Sequence, residues 1–419
     1  MKSIRIRQLA IFVALTLLLP SICPRAFALT EVHFDRDFEL MDLRGAASDA
    51  PALPFNPTNA GTQNLLAYGN ELLQDGYLKE ASDVFKEVLK RDSANATAIS
   101  NIDLCEKRIV EIDSSIEQLQ ASVAQDPYNA QSYNNLGATY LSKGEADEAL
   151  KALYQALRLR PNYAEAHYNL GHLLSLRHDY SQAVVEYQEA VQHKPDAPEY
   201  HKELGDAMHL LNRADSALIE YHEAQRLGDA SLSLKLREIA VLRDLKRYEN
   251  AQELCTVLLK SEPQNPEILN QLGLVYLRLG KLEVAQQCFT QALKADPKFA
   301  QARNHLGITL YQTKHLQESI TVFRDALDLK PDYAEAYYNL GTALYRSGNV
   351  QDAATALEEA IKYNPRDASA YNNLGLILLK RNSVDEAIEN WRKAIAIDPN
   401  LAAAFLNIGR ALHLAKNRE

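Results

Sequence analysis

Side chains that can donate and accept hydrogen bonds recur along this chain at a fixed spacing of 34 residues. The set comprises Asn101, Asn135, Asn169, Gln271, His305, Asn339, Asn373 and Asn407. A carboxamide both donates and accepts, so a row of them can pair with an extended main chain whatever the side chains of that chain are. We predict that these eight residues bind peptide. The alternative is that asparagine at this place belongs only to the consensus of a repeat.

A second set of candidates is basic and lies in the middle of the chain. It comprises His172, Lys202, His209, Arg237 and Arg243. Together these side chains could meet an anionic group, which makes them candidate anion-binding residues. Glu203 and Asp206 lie among them, and the alternative is that these acids simply neutralise the basic groups.

Seven histidines between His167 and His222 suggest metal ligands. His167 and His201 hold equivalent places 34 residues apart, and equivalent places on adjacent packed helices are about 9 Å apart, too far for shared ligation. No metal site is therefore predicted. Signatures such as G-x-x-x-x-G-K-[ST], G-x-S-x-G and H-E-x-x-H do not occur, so we predict no catalytic residue, no cofactor and no enzyme.

The elements that position these side chains follow from the same period. Repeats begin at residues 62, 96, 130, 164, 198, 232, 266, 300, 334 and 368. In most of them position eight is Gly, position twenty is Ala and position thirty-two is Pro, as in Gly137, Ala149 and Pro161. A small residue lets two antiparallel helices approach, and Pro ends the second helix. Each repeat is thus predicted to be a helix pair that buries its apolar face by stacking on the next pair.

This pattern resembles the tetratricopeptide repeat family. One unit, Ala130 to Tyr163, shows the signature residues Tyr133, Leu136, Gly137, Tyr140, Gly144, Ala149, Ala156 and Pro161. The resemblance implies an all-α, right-handed α-solenoid of helix-turn-helix repeats that binds protein or peptide partners. It also implies that the first helices line a concave groove into which the row of carboxamides points. A similar asparagine row grips peptide backbones in the repeats of O-linked N-acetylglucosamine transferases.

The repeat array is predicted to cover residues 62–401 as ten units, followed by a capping helix at 402–419. Two units diverge. Residues 96–129 lack a Gly or Pro at the expected turn and carry Ile102, Ile109 and Ile116 at a seven-residue spacing, which leaves open one long helix or a divergent helix pair. Residues 232–265 have Ile239 in place of Gly.

The N-terminus has the features of an export signal. Lys2, Arg5 and Arg7 precede an apolar run from 9 to 19, and Ala26-Phe27-Ala28 forms a cleavage site. We predict a signal peptide over 1–28, cleaved after Ala28, and a periplasmic or secreted protein without a membrane span after cleavage. An uncleaved anchor remains the alternative. The proline-containing residues 29–61 are predicted to be an extended or disordered linker.

The composition is typical of a folded protein, with 47% hydrophobic and 24% charged residues. A net charge of −10 argues against nucleic acid as a partner. We therefore predict a non-enzymatic scaffold of the cell envelope that binds extended segments of proteins in its groove. The alternatives are an accessory scaffold of a polysaccharide export or secretion complex, and an exported metal-binding or enzymatic protein that uses the histidine-rich centre.

Overall fold

The structure, a computed structural model, describes residues 62–74 and 76–416. The predicted signal peptide, the predicted linker and the last three residues of the predicted cap lie outside these ranges. The described residues form twenty α-helices and no strand. The predicted all-α fold of packed helix pairs is confirmed.

The helices follow one another at nearly regular intervals. The first ten are α1 Thr62–Gln74, α2 Leu78–Arg91, α3 Ala96–Gln125, α4 Ala130–Lys143, α5 Ala146–Leu159, α6 Ala164–Leu176, α7 Tyr180–His193, α8 Pro198–Leu210, α9 Ala214–Arg226 and α10 Leu232–Asp244. The next ten are α11 Tyr248–Ser261, α12 Pro266–Arg278, α13 Leu282–Ala295, α14 Ala300–Gln312, α15 Leu316–Leu329, α16 Ala334–Arg346, α17 Val350–Tyr363, α18 Ala368–Lys380, α19 Val384–Ile397 and α20 Ala402–Lys416. None of these described helices is both long and apolar enough to cross a membrane.

Local sequence signals set where the helices begin. The side chains of Asn95, Asn129 and Asn265 each accept a hydrogen bond from a backbone N–H of the helix that follows, at 3.1 Å. Such caps satisfy N–H groups that have no partner inside the helix. Between α4 and α5 the chain turns at Gly144, whose φ of 81° is readily adopted by glycine. The turn is short enough to bring the two helices together as an antiparallel pair.

The glycine at position eight admits a large side chain from the second helix of its own repeat. A Cβ built on Gly137 would lie 2.7 Å from Leu153 Cγ, and one on Gly205 would lie 2.5 Å from Tyr221 Cε1. The backbone of position twenty lies slightly farther away, at 3.3 Å for the Ala149 carbonyl oxygen. The crossing is therefore built from a glycine and a bulky residue at position twenty-four, beside the small residue at position twenty.

The divergent repeat 232–265 exchanges the sizes of these two partners. Ile239 stands where the glycine belongs, and Cys255 stands at position twenty-four, where other repeats have Leu, Tyr, Phe or Trp. Both side chains are fully buried in the same apolar cluster. A large residue on the first helix is matched by a small one on the second, so this repeat keeps a packed helix pair.

Residues 96–125 form one continuous helix of 30 residues, the first of the two forms that the sequence left open. Cys105 lies in the apolar cluster built by α1 and α2, whereas Ile116 lies in the cluster of α4 and the helices that follow. Gln120 also donates to the hydroxyl of Tyr140 on α4, at 2.8 Å. Between these contacts the helix is open, and 65% of Val110 is exposed. The helix α3 thus connects two packed clusters in place of a helix pair.

The described chain divides into two units. The first unit consists of the described residues up to 313 together with 328–331, and the second of residues 314–327 and 332–416. In the first unit, Leu170, Leu204 and Leu234 belong to one continuous core. In the second unit, Leu357 and Trp391 are almost fully buried. All three cysteines in the described residues, Cys105, Cys255 and Cys288, are buried free thiols, and burial raises the pKa of Cys288 to about 11.

Candidate binding face of the first helices

Neighbouring first helices are joined by hydrogen bonds between side chains 35 residues apart. Asn169 donates from Nδ2 to Asn134 Oδ1 at 2.9 Å, and Asn407 donates to Asn372 Oδ1 at 3.0 Å. In both cases position six of one repeat contacts position five of the repeat before it. Since each bond joins two repeats, these amides fix the distance between adjacent first helices. We call the surface carrying positions five and six the first-helix face.

In the first unit, three members of the predicted peptide-binding set are accessible on this face. Asn135 is exposed, and Asn101 and Asn169 are half-buried. Asn134 donates to Asn135 Oδ1 at 3.4 Å and accepts from Asn169, so these amides form a short chain. Asn101 donates to Asn70 Oδ1 at 2.6 Å. Asn135 is the most accessible carboxamide of this group.

Two further members of the set are tied to neighbours within the first unit. His305 is 7% exposed, and its Nδ1 lies 2.8 Å from Asn270 Oδ1, so that nitrogen carries the proton and donates. The Gln271 Oε1 atom accepts from Arg243 Nη1 at 2.9 Å. The predicted peptide-binding and anion-binding sets therefore meet at one hydrogen bond.

In the second unit the same position is buried. Asn339, Asn373 and Asn407 are 2%, 6% and 2% exposed. Asn373 donates to the hydroxyl of Tyr338 at 2.9 Å and accepts from Asn372 at 3.3 Å. Asn373 and Asn407 join adjacent first helices rather than presenting a free surface.

The sequence treated the eight residues as one class, whereas the structure places them in two different environments. Their partners at position five, such as Asn134, Asn270 and Asn372, were not singled out. The sequence does contain a signal for them, because position five is Asn or Tyr in several repeats, including Tyr168 and Tyr338. Peptide binding by the eight residues stays a prediction.

Most of the predicted anion-binding residues have partners of their own. Arg237 pairs with Asp206, His209 Nε2 lies 2.6 Å from Asp244 Oδ2, and Lys202 Nζ lies 3.7 Å from Glu203 Oε1. Arg243 is 5% exposed and bonded to Gln271, as described above. His172 is exposed on α6. Anion binding by this set stays a prediction, and these pairs favour neutralisation by the neighbouring acids.

A buried carboxylate that the sequence analysis did not single out lies on α10 in the first unit. Glu238 is 9% exposed and stands at position seven, where Leu204 and Leu272 stand in the adjoining repeats. It contacts His222 at 3.2 Å, Gln225 at 2.7 Å and Lys235 at 3.2 Å. Burial alone would raise the pKa of Glu238, but these donors and the Lys235 charge hold it below its ordinary value.

Two histidines make the same pair of contacts in consecutive repeats. The Nδ1 atoms of His167 and His201 each lie 2.7 Å from a carboxylate, that of Glu186 or Glu220. Their Nε2 atoms lie 2.8 Å from the carbonyl oxygen of Pro161 and 3.2 Å from that of Pro195. Both partners of each ring are acceptors, so each imidazole lies between a carboxylate and a backbone carbonyl oxygen.

Comparison with known families fits this geometry. A family model described as tetratricopeptide repeat matches residues 168–231, 270–334 and 338–402. Two others, a TPR repeat and a tetratricopeptide repeat, match residues 138–176 and 119–151. A search of curated proteins finds no match to the chain. With its 34-residue helix pairs and these matches, the chain belongs to the tetratricopeptide repeat family.

Proposed function

We propose that this protein is a non-enzymatic scaffold of the cell envelope that binds extended segments of partner proteins on its first-helix face. Proteins of this repeat family generally serve as protein-protein interaction scaffolds. The observation that carries the proposal is the accessible row of carboxamides at Asn101, Asn135 and Asn169. Asn101 and Asn169 are bonded to neighbouring helices, and Asn135 is bonded to Asn134 on its own helix.

The positions of these amides suit recognition of a main chain. Asn135 keeps donor capacity because its bond with Asn134 uses the Oδ1 atom as an acceptor and leaves the Nδ2 donors to a ligand. Ala138, one turn further along α4, is partly exposed and has no bulky side chain. An extended segment that lies across α4 and α6 can therefore approach closely and pair its N–H and C=O groups with the amides. Such recognition tolerates many side-chain sequences.

The cell envelope enters the proposal through the N-terminus of the sequence. An exported protein cleaved after Ala28 would begin at Leu29. N-terminal sequencing of the protein from an envelope fraction tests this part by itself. A mature chain that begins at Leu29 supports export with cleavage, and a cytoplasmic protein that retains Met1 contradicts it.

Site-specific crosslinking tests where partners bind. A photo-reactive amino acid replaces Ala138 on the first helix of the repeat or, as the matched control, Tyr154 on its second helix. Tyr154 is 51% exposed, so it is at least as reachable as Ala138. We expect that partner polypeptides crosslink to the protein through position 138 and that these polypeptides do not crosslink through position 154. Crosslinking that is equal at both positions, or stronger at 154, would contradict binding at the first-helix face.

A further inference from the structure

Two imidazoles and a carboxylate converge within the repeat 164–197, apart from the first-helix face carboxamides. One ligand atom each of His167, Glu189 and His193 lies within 4.8 Å of the others. His167 comes from α6, whereas Glu189 and His193 lie one turn apart on α7. The i, i+4 spacing places the latter two side chains on one side of their helix, facing the same space.

The cluster is partly shielded and still open to solvent. The side chains of His167, His193 and Glu189 are 12%, 27% and 44% exposed. Glu186, one helical turn before Glu189, contacts the His167 ring. A carboxylate in this position orients an imidazole and raises its basicity, as it does beside metal-binding histidines. An ion can enter from solvent and keep water as its remaining ligands.

We propose that His167, Glu189 and His193 form a binding site for one divalent transition-metal ion, with Zn²⁺ as the best fit. Two imidazole nitrogens and one carboxylate oxygen are a common ligand set for zinc with an open fourth position. Calcium and magnesium instead prefer shells of oxygen ligands, so neither should compete. His167 would bind the ion through one ring nitrogen, in place of the hydrogen bond that this nitrogen makes to Glu186 or to the Pro161 carbonyl oxygen.

The ligand atoms need only a small movement to close on an ion. Bonds of about 2.1 Å require ligand atoms no more than about 4.2 Å apart. Glu189 and His193 supply this movement because both are exposed enough to change rotamer, and their own N–O separation is already 3.6 Å. The sequence analysis missed this site because it considered histidines at equivalent positions of neighbouring repeats. The three ligands instead belong to the two helices of a single repeat.

The next repeat provides a matched control. His201 there repeats the contacts of His167, and Glu223 stands at the place of Glu189. Leu227 stands at the place of His193. The repeat 198–231 therefore has the equivalent of His167 with its two hydrogen bonds but lacks the second imidazole. We expect that it does not bind the ion.

The test uses the full-length protein without a histidine tag, from which bound metal has been removed with a chelator. This protein is titrated with ZnCl₂, and binding is measured by isothermal titration calorimetry. We expect one Zn²⁺ per chain for the wild type, no response to MgCl₂, and at least a tenfold loss of affinity in His193→Gln. His201→Gln should bind as the wild type does. Circular dichroism of each variant confirms that the helices remain.

Two results would overturn the proposal. One is a wild-type protein that takes up no zinc at micromolar to submillimolar concentrations. The other is zinc binding that persists unchanged in His193→Gln or is lost equally in His201→Gln, which would place the ion elsewhere. Because His193 lies outside the first-helix face, partner binding is measured separately, and failure here leaves the proposed scaffold function standing.

Discussion

At the residue scale, Glu238 is a charged group in a place that neighbouring repeats fill with leucine. Replacing both members of a buried ion pair by apolar side chains is often neutral or stabilising, by about 1–4 kcal/mol, whereas removing one member destabilises the fold unless water can solvate the partner left behind. The partners of Glu238 lie near solvent, and the side chain of His222 is 59% exposed, so water can solvate that ring once the carboxylate is gone. The carboxylate is thus a place where the local sequence departs from the apolar rule of the repeat.

We expect Glu238→Leu to gain stability over the wild type as the pH falls. The pKa of Glu238 is lower in the folded protein than in the unfolded chain, so its ionisation stabilises the fold above the unfolded pKa of about 4.3. That contribution is lost as the pH falls through the folded pKa, and the leucine variant has none to lose. Chemical denaturation at several pH values between 3 and 7 measures the difference. The exposed Glu249→Gln is the control, and a difference that does not change with pH would contradict the assignment.

The asparagines at position six should differ in their cost of removal. Asn373→Ala removes two buried hydrogen bonds, the one to the Tyr338 hydroxyl and the one from Asn372 Nδ2, which costs about 1–3 kcal/mol. Asn135→Ala removes an exposed amide and should change the free energy of unfolding by less than about 0.5 kcal/mol. Denaturant titration of both variants compares them. Equal losses would show that the two environments do not differ as the structure indicates.

At the element scale, the glycine of position eight is needed only where a second helix packs on it. A Cβ on Gly341 would lie 2.8 Å from Leu357 Cγ and 3.2 Å from the Ala353 carbonyl oxygen. A Cβ on Gly409, in the last helix α20, would meet nothing within 4 Å. Packing therefore requires glycine at position 341 and does not require it at position 409.

Alanine at these two positions should act in opposite directions. We expect Gly341→Ala to destabilise the protein by about 1–3 kcal/mol through overpacking. Gly409→Ala should stabilise it by up to about 1 kcal/mol because alanine loses less backbone entropy in a helix. Thermal or denaturant unfolding of the two single variants measures the two changes in stability. A change of the same sign in both would contradict the packing account.

The exchanged pair Ile239 and Cys255 can be returned to the usual arrangement. Ile239→Gly alone empties a buried site, and Cys255→Phe alone overfills one, so each should destabilise by several kcal/mol. The double variant reproduces the Gly273 and Phe289 arrangement of the next repeat. We expect a favourable coupling of about 0.5–3 kcal/mol between the two changes in a double-mutant cycle. Strictly additive losses would show that the two side chains do not share one space.

The helix pairs could be predicted from the sequence because their signals are single residue types. The same residue type recurs at position eight, which is glycine, and at position thirty-two, which is proline, in most repeats. Position twenty-four could not be identified in that way, since Leu153, Tyr221 and Trp391 share only their size. The single helix α3 was anticipated as one of two forms because no Gly or Pro interrupts residues 96–125.

The environment of the candidate site could not be predicted in the same manner. The sequence correctly placed the carboxamides at one position of the repeat, but their burial depends on the side chains of the neighbouring repeat. Asn135 is exposed beside α3, whereas Asn373 lies against Tyr338 and Asn372. Such differences arise from packing between repeats and not from the residue itself.

At the scale of the whole molecule, different helices of the repeat array carry different groups of polar side chains. Within the first unit, the accessible carboxamides lie on α3, α4 and α6, and the histidine and glutamate cluster lies on α6 and α7. In a repeat protein each unit contacts mainly its neighbours, so a change in one stretch leaves distant ones folded. The two proposed binding sites can therefore be tested separately by single substitutions.

The measurement that tests the central claim most directly is the affinity of a partner segment, identified by crosslinking at position 138, for three forms of the protein. Fluorescence anisotropy of the labelled segment compares the wild type with Asn135→Ala and with Asn250→Ala, whose exposed amide lies on the second helix α11. We expect Asn135→Ala to weaken binding about three- to tenfold, the value of one hydrogen bond, and Asn250→Ala to have no effect. Unchanged binding by Asn135→Ala, or an equal loss in both variants, would contradict recognition by the first-helix face.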